Sequence, residues 1–222
     1  MERKIVRTAD GSQTIQLPEW GEQYHSMHGA LQESRHVFIR QGLYQFFNRP
    51  VDLLEIGFGT GLNALITMVE APGRKLRIRY TGLEAYPVAE GEWKQLEYAK
   101  LFSPEDNVQR YFEALHRAPW DREYPVTSSF TLHKRNIDIR LFESEPAFDL
   151  VYFDAFGARV QPELWTADIF RRMYEAVRPG GCLVTYSAKG SVRRAMQEVG
   201  FIVERLPGPP GKREMLRASK AP

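Results

Sequence analysis

The junction Val51-Asp-Leu-Leu-Glu-Ile-Gly57, followed by Phe58-Gly59-Thr60-Gly61 and then Leu62–Glu70, restricts the fold more than any other feature of this 222-residue chain. Its first stretch is apolar at most positions, as a strand buried on both faces must be. Leu62–Glu70 has the composition of a helix. Three glycines between such a strand and a helix let the backbone turn sharply and approach a ligand at the strand's carboxyl end. The rest of the chain repeats the alternation. Leu76, Ile78 and Tyr80 alternate with polar neighbours up to about Glu84, and Phe130–Ile137, Phe148–Asp154 and Cys182–Tyr186 also read as strands. Ala30–Phe47, Val88–Leu101, Glu105–Arg117, Leu164–Val177 and Ser191–Val199 read as helices. Pro87 and Pro104 lie near two helix starts, and Arg178-Pro-Gly-Gly181 is expected to stop the fourth of these.

This alternation predicts an α/β fold: a three-layer sandwich with a mostly parallel sheet covered by helices on both faces. Phe201–Arg205 and Glu214–Ala218, joined by the short Pro207–Gly211 segment, predict a C-terminal antiparallel hairpin at the sheet edge. Lys4–Leu17 around Asp10-Gly11 predicts an N-terminal hairpin. The expectation is one domain over 1–222, with 1–49 as a short N-terminal extension on a 50–222 core.

Composition removes several classes. The one cysteine, Cys182, allows no internal disulfide and no cysteine-based zinc cluster, so a reduced, cytoplasmic setting is expected. No apolar run follows the charged start as a signal peptide requires, and no stretch is long enough for a membrane span. The five histidines lack metal-ligand spacing, so no metal is expected. Net charge is only +2, but residues 1–154 carry −4 and residues 155–222 carry +6. A basic last third suits a polyanion such as RNA, and solvated helix faces would produce the same balance.

The glycine loop can be tested against its main competitor. A dinucleotide fingerprint needs Gly or Ala at the sixth position counted from Gly57, and Leu62 stands there. Glu55 ahead of the glycines suits a ligand with an ammonium, a sulfonium and a ribose, which describes S-adenosylmethionine better than a pyrophosphate. Glu84, at the end of the next strand, is placed to accept both ribose hydroxyls; a solvated strand-end glutamate is the plainer reading.

With these residues in place, the chain resembles class I methyltransferases of Rossmann-like fold. More closely, it resembles the methyltransferase domain of the MnmC family, including the stand-alone MnmD form. Tyr24-His-Ser with Gly29-Ala-Leu-Gln-Glu33-Ser34-Arg-His-Val37-Phe38 resembles the family's N-terminal helix motif, and Leu54–Asn63 its cofactor loop. Phe153-Asp154-Ala-Phe-Gly157 with Gln161-Pro-Glu-Leu-Trp165-Thr166 resembles its active-site strand and loop. Ser191-Val-Arg193-Arg194 and Gly211-Lys-Arg213-Glu-Met-Leu216 resemble its C-terminal motifs. The resemblance implies S-adenosylmethionine-dependent methylation of 5-aminomethyl-2-thiouridine at the tRNA wobble position. Glu55, Gly57, Phe58, Gly59, Gly61 and Asn63 would line the methionine end of the cofactor, and Glu84 would hold the ribose. Family members usually carry an Asp near the adenine amino group; here alignment offers Asn136, with Asp138 two residues on, and the choice between them stays open. The bifunctional family members add a flavin-dependent oxidase domain after the methyltransferase; with the chain ending at Pro222, no flavin is expected. No membrane and no obligate protein partner are implied.

Asp154, at the end of an apolar strand, is the expected catalytic residue, and the resemblance implies that it faces the acceptor amine; capping a following turn is the structural alternative. Phe156 is a candidate for stacking on a base, whereas Trp165 reads better as a core anchor. Lys189, Arg193, Arg194, Lys212 and Arg213 are expected to form one basic tRNA-docking face. Two other functional readings remain: a small-molecule amine N-methyltransferase or aminopropyltransferase, and a non-catalytic RNA-binding module.

Overall fold

The computed structural model describes residues 2–102 and 105–222. The expected N-terminal hairpin forms as β1 (Lys4–Arg7) and β2 (Gln13–Leu17), and β3 (Glu22–Gln23) adds to it as a third antiparallel strand. Helix α1 (Ala30–Ser34) continues as a π-helical turn over Arg35–Arg40. Then follow β4 (Pro50–Ile56), α2 (Leu62–Glu70), β5 (Arg77–Leu83), α3 (Glu90–Trp93), α4 (Glu105–Arg117), β6 (Arg122–Thr127), β7 (Phe130–Arg135), β8 (Phe148–Phe153), α5 (Ala167–Ala176), β9 (Val177–Thr185), α6 (Gly190–Glu198), β10 (Ile202–Pro207) and β11 (Glu214–Ser219).

Among the described residues, eight strands form one sheet in the order β10-β11-β9-β8-β4-β5-β7-β6. The five inner strands β9, β8, β4, β5 and β7 run parallel; β6 at one edge and β11 near the other are antiparallel to their neighbours. β8 is buried at every position, as a central strand covered on both faces should be. One core cluster packs α2 and α4 against the sheet, including Leu65, Phe112 and Tyr80. The other packs α5 and α6, including Phe170, Met173 and Val192. The connections leave β4 toward β5 on one side and reach β8 and β9 on the other. The carboxyl ends of β4 and β8 therefore flank the switch point where such sheets bind ligands.

Four boundaries differ from the sequence reading. The Ala30–Phe47 helix stops at Arg40, because a tight reversal at Gly42 puts its Cβ position 2.5 Å from the Phe38 carbonyl oxygen. Val88–Leu101 keeps only α3 and a 3₁₀ turn at Tyr98–Leu101; burying Trp93, Leu96, Tyr98 and Ala99 together overrides helical propensity. Leu164–Val177 divides into a 3₁₀ turn at Pro162–Trp165 and α5. Arg178-Pro-Gly-Gly181 lies inside β9, where Arg178 pairs with Asp52 of β4 at 2.7 Å and Asp149 of β8 at 3.1 Å. Strand β6 had no expectation behind it: its residues are largely exposed, so its sequence lacks an apolar signal. Pro104 lies outside the described residues.

Candidate active site

The glycine loop leaves β4 with positive φ at Gly57 (85°), Gly59 (51°) and Gly61 (73°). A Cβ at Gly57 would come within 2.9 Å of the Asp154 carbonyl oxygen, and one at Gly59 within 3.0 Å of the Tyr24 ring. The loop is held from behind. His116 Nε2 lies 3.1 Å from the Thr60 carbonyl, and the Tyr98 hydroxyl donates to Thr60 Oγ1 at 3.0 Å. The His116 ring stacks on Trp93, and burial lowers its pKa to about 3.

In front of the loop opens a cavity of about 1040 Å³. The sheet supplies Gly57–Thr60, Glu84 and Asp154; the N-terminal extension supplies Trp20, Tyr24, His25 and Glu33 on the opposing wall. Glu84 is fixed by two backbone donors, Gly59 N–H to Oε2 at 2.9 Å and Tyr86 N–H to Oε1 at 2.8 Å. Carboxylate oxygens have more than one lone pair each, so both can still accept from a ligand hydroxyl.

The Asn63 amide joins two acids. Its Nδ2 donates to Glu55 Oε1 at 2.9 Å and to Asp154 Oδ2 at 2.8 Å. This places Glu55 behind Asn63: it is 1% exposed and does not line the cavity wall on which the sequence reading expected it. Burial pushes the Glu55 carboxyl well above its usual pKa. Asn63 Oδ1 is buried without a hydrogen-bond partner among the described residues, although Asn63 lines the cavity. An unpaired acceptor there fits an incoming ammonium group.

The Asn136 and Asp138 alternatives separate. Asn136 Nδ2 donates to the Glu84 carbonyl at 2.8 Å, tying the end of β7 to that of β5, and the residue does not line the cavity. Asp138 does line it, and caps the 3₁₀ turn at Ile139–Leu141 by accepting from Arg140 N–H at 2.8 Å. Gly61, too, lies off the cavity wall, where its positive φ starts α2.

Phe156 lies on the cavity wall with its ring edge-on to Trp20 and Tyr24, at centroid distances of 5.6 and 5.0 Å. Trp165 is buried, and its indole N–H donates to the Phe156 carbonyl at 2.7 Å, so it anchors the loop that follows Asp154. Arg159 in the same loop pairs with Glu22 at 2.7 Å and donates to the Trp20 carbonyl at 3.1 Å, linking the loop to the N-terminal extension.

The five basic residues separate as well. Lys189, Arg194 and Arg213 are exposed. Lys212 turns inward, 2.6 Å from Glu33 Oε1 and 4.0 Å from the centre of the Tyr186 ring, and so is not free for a phosphate. Arg193 has a buried Nε. Tyr24, Glu33 and Tyr186 are cavity residues to which sequence reasoning assigned no role. Tyr24 and Glu33 stand in the motif of the N-terminal helix, but only the fold brings them opposite Asp154. Among the described residues no cluster of His, Cys, Asp and Glu could hold a metal ion, and no helix is long and apolar enough to cross a membrane.

His25 is buried on the cavity wall, with Nδ1 3.1 Å from Thr14 Oγ1, and burial lowers its pKa to about 4. Its ordinary value is near 6.5, so below that pH the unfolded chain takes a proton that the folded one refuses. The stability it contributes is intact above pH 6.5 and drains away as pH falls toward 4. Urea denaturation should show the wild type losing about 3 kcal/mol more than His25→Gln over this interval; parallel pH curves would contradict a buried neutral His25.

Residues 102–221 match the S-adenosyl-L-methionine-dependent methyltransferase family. The crystal structure of MnmC2 from Aquifex aeolicus superposes with a TM-score of 0.82 at 31% identity, over 100% of this chain and 72% of that one. The chain belongs to the MnmC/MnmD family of S-adenosyl-L-methionine-dependent methyltransferases. The bifunctional MnmC of tRNA 5-methylaminomethyl-2-thiouridine biosynthesis from Cupriavidus necator is 33% identical over 92% of this chain. That from an Acidovorax species is 30% identical over 100%. The chain spans about a third of the length of these curated relatives. Spermidine synthase from Thermotoga maritima, at 13% identity and a TM-score of 0.57, shares the fold alone. The methyltransferase family and the cavity agree: the glycine cradle, the doubly held Glu84 and the unpaired Asn63 acceptor fit S-adenosylmethionine.

Proposed function

We propose that the enzyme methylates the aminomethyl group of 5-aminomethyl-2-thiouridine at the tRNA wobble position, acting in the cytoplasm. The observation that carries this reading is the place of Asp154. It sits one residue past β8, at the switch point, fixed by Asn63 and facing the cavity between the glycine loop and the N-terminal wall. The names of the MnmC relatives supply the substrate class.

In this reading, Glu84 holds the ribose hydroxyls, Asp138 faces the adenine end, and Asn63 Oδ1 accepts from the methionine ammonium. When bound, S-adenosylmethionine supplies an electrophilic methyl group whose C–S bonding electrons leave with the sulfur. The acceptor arrives largely as an ammonium ion, because an aliphatic amine of pKa near ~10.4 is about one part in ~2,500 neutral at pH 7. Asp154 takes one ammonium proton, and the freed nitrogen lone pair forms the new N–C bond. Burial and the Glu33 charge both raise the Asp154 pKa, which makes its carboxylate a stronger base than an exposed one. Phe156, Trp20 and Tyr24 offer aromatic surface to the base.

The decisive experiment measures methylation of tRNA bearing 5-aminomethyl-2-thiouridine against free primary amines, with nucleoside mass spectrometry of tRNA from a deletion strain. Turnover of free amines at the tRNA rate would replace this reading with a small-molecule one. The docking face is tested separately. Neutralising Lys189, Arg194 and Arg213 should weaken tRNA binding and flatten its salt dependence by about one unit of slope per lost phosphate contact. An unchanged slope would put the docking face elsewhere.

A further inference from the structure

The acceptor end of the cavity holds an ion pair of which methyl transfer as described uses only the Glu33 charge. Glu33, on α1, is 7% exposed, and its two oxygens have separate partners. Oε1 takes the Lys212 ammonium at 2.6 Å and Oε2 accepts from Ser26 N–H at 2.9 Å. Lys212 reaches in from the β10–β11 turn, and its Nζ stands over the Tyr186 ring. The Tyr186 hydroxyl in turn donates to the carbonyl of Ala155, next to Asp154, at 2.8 Å. Glu33, Lys212, Tyr186 and Asp154 all line the one cavity.

We propose that Glu33 and Lys212 are a positioning pair for the acceptor amine, whose opposed charges set how readily Asp154 accepts the amine's proton. This rests on Asp154 being the base, as argued above. The geometry gives each member a distinct effect. The Glu33 charge opposes a second negative charge at Asp154, and the Lys212 charge favours it. Holding Lys212 on Glu33 and Tyr186 keeps the ammonium from neutralising Asp154 outright, so the acceptor ammonium remains its partner. The other titratable groups facing Asp154 are Glu55 on β4, Tyr80 on β5 and Tyr186 after β9. His25, beside Glu33, is uncharged at neutral pH because burial has lowered its pKa to about 4.

The pair predicts opposite displacements of one pH profile. In single-turnover methylation at saturating tRNA and cofactor, the acidic limb belongs to Asp154 and the amine as a coupled pair. Glu33→Gln removes the opposing charge and frees Lys212, so the limb moves to lower pH by about one unit and the plateau rate falls. Lys212→Met leaves Glu33 uncompensated, so the limb moves up by about one unit, a loss of roughly tenfold in rate at a fixed pH on the limb. Glu33→Gln with Lys212→Met returns the limb close to its wild-type position. Cofactor affinity and melting temperature, measured on each variant, identify any that fold poorly; the double variant then supplies the comparison. Limbs that stay in place, or move in the same direction, would overturn the proposal. If Asp154→Asn leaves rate and limb as in wild type, Asp154 is not the base, and the underlying reading fails instead.

Discussion

Replacing Asp154 by Asn is expected to lower single-turnover methylation by roughly 10²–10⁴-fold, the usual cost of losing a general base. The fold should tolerate the change. An Asn side chain at this position keeps an amide oxygen to accept from Asn63 Nδ2, the 2.8 Å bond that orients Asp154, and the backbone N–H still donates to the Ile56 carbonyl at 3.0 Å. What it cannot do is take a proton. Cofactor affinity should therefore remain close to wild type while turnover collapses and the acidic limb of the rate profile moves up to that of the amine alone. The measurement is the pH dependence of single turnover, with cofactor affinity by calorimetry on both proteins. Near-normal turnover would remove Asp154 from proton transfer, and loss of folding would assign it the capping role instead.

The second large effect concerns the glycine loop. Gly59→Leu should weaken S-adenosylmethionine binding by at least about 100-fold. At φ 51° any side chain other than glycine's is strained by roughly 1–2 kcal/mol. Its Cβ would also stand 3.0 Å from the Tyr24 ring, on the cavity wall. The Gly59 N–H donates to Glu84 Oε2, so a loop that shifts to relieve the contact also releases the carboxylate expected to hold the ribose. Strain, contact and the displaced carboxylate together are expected to reach the ~2.8 kcal/mol that a 100-fold change in affinity represents. Retained micromolar binding in a well-folded Gly59→Leu variant would show that the ligand does not approach the loop here.

The sequence was most informative where one local pattern had only one packing solution. β4, the glycine turn and α2 follow from an apolar run, three glycines and a helical stretch, and the structure places them within a residue of the reading. β8 and the C-terminal hairpin were legible for the same reason. Trp165 read as a core anchor, and it is buried. Where several packings compete, local reading fell short. The helix expected over Val88–Leu101 gave way to burial of residues on more than one side, and β6 is an edge strand held by pairing with β7 rather than by an apolar face. Asn136 and Asp138 were indistinguishable as letters. The hydrogen bond from Asn136 to the Glu84 carbonyl separates them, since it uses the amide to join two strands.

Charge shows the limit most clearly. A lysine in a basic C-terminal stretch reads as surface, and nothing local to Lys212 says otherwise. Its partner Glu33 lies 179 residues away, in a helix that the sequence marks only as a family motif. The alternation of strands and helices, the glycine turns and the end of β8 are dictated by burial patterns and backbone sterics over a few residues, so the sequence by itself determined the fold class, the glycine loop and the place of Asp154 at the end of β8. The opposing wall of the cavity, and the inward turn of Lys212 onto Glu33 and Tyr186, depend on elements from both ends of the chain meeting over the switch point. Only the tertiary structure decided them, because desolvated charges choose partners by distance in space and not along the chain.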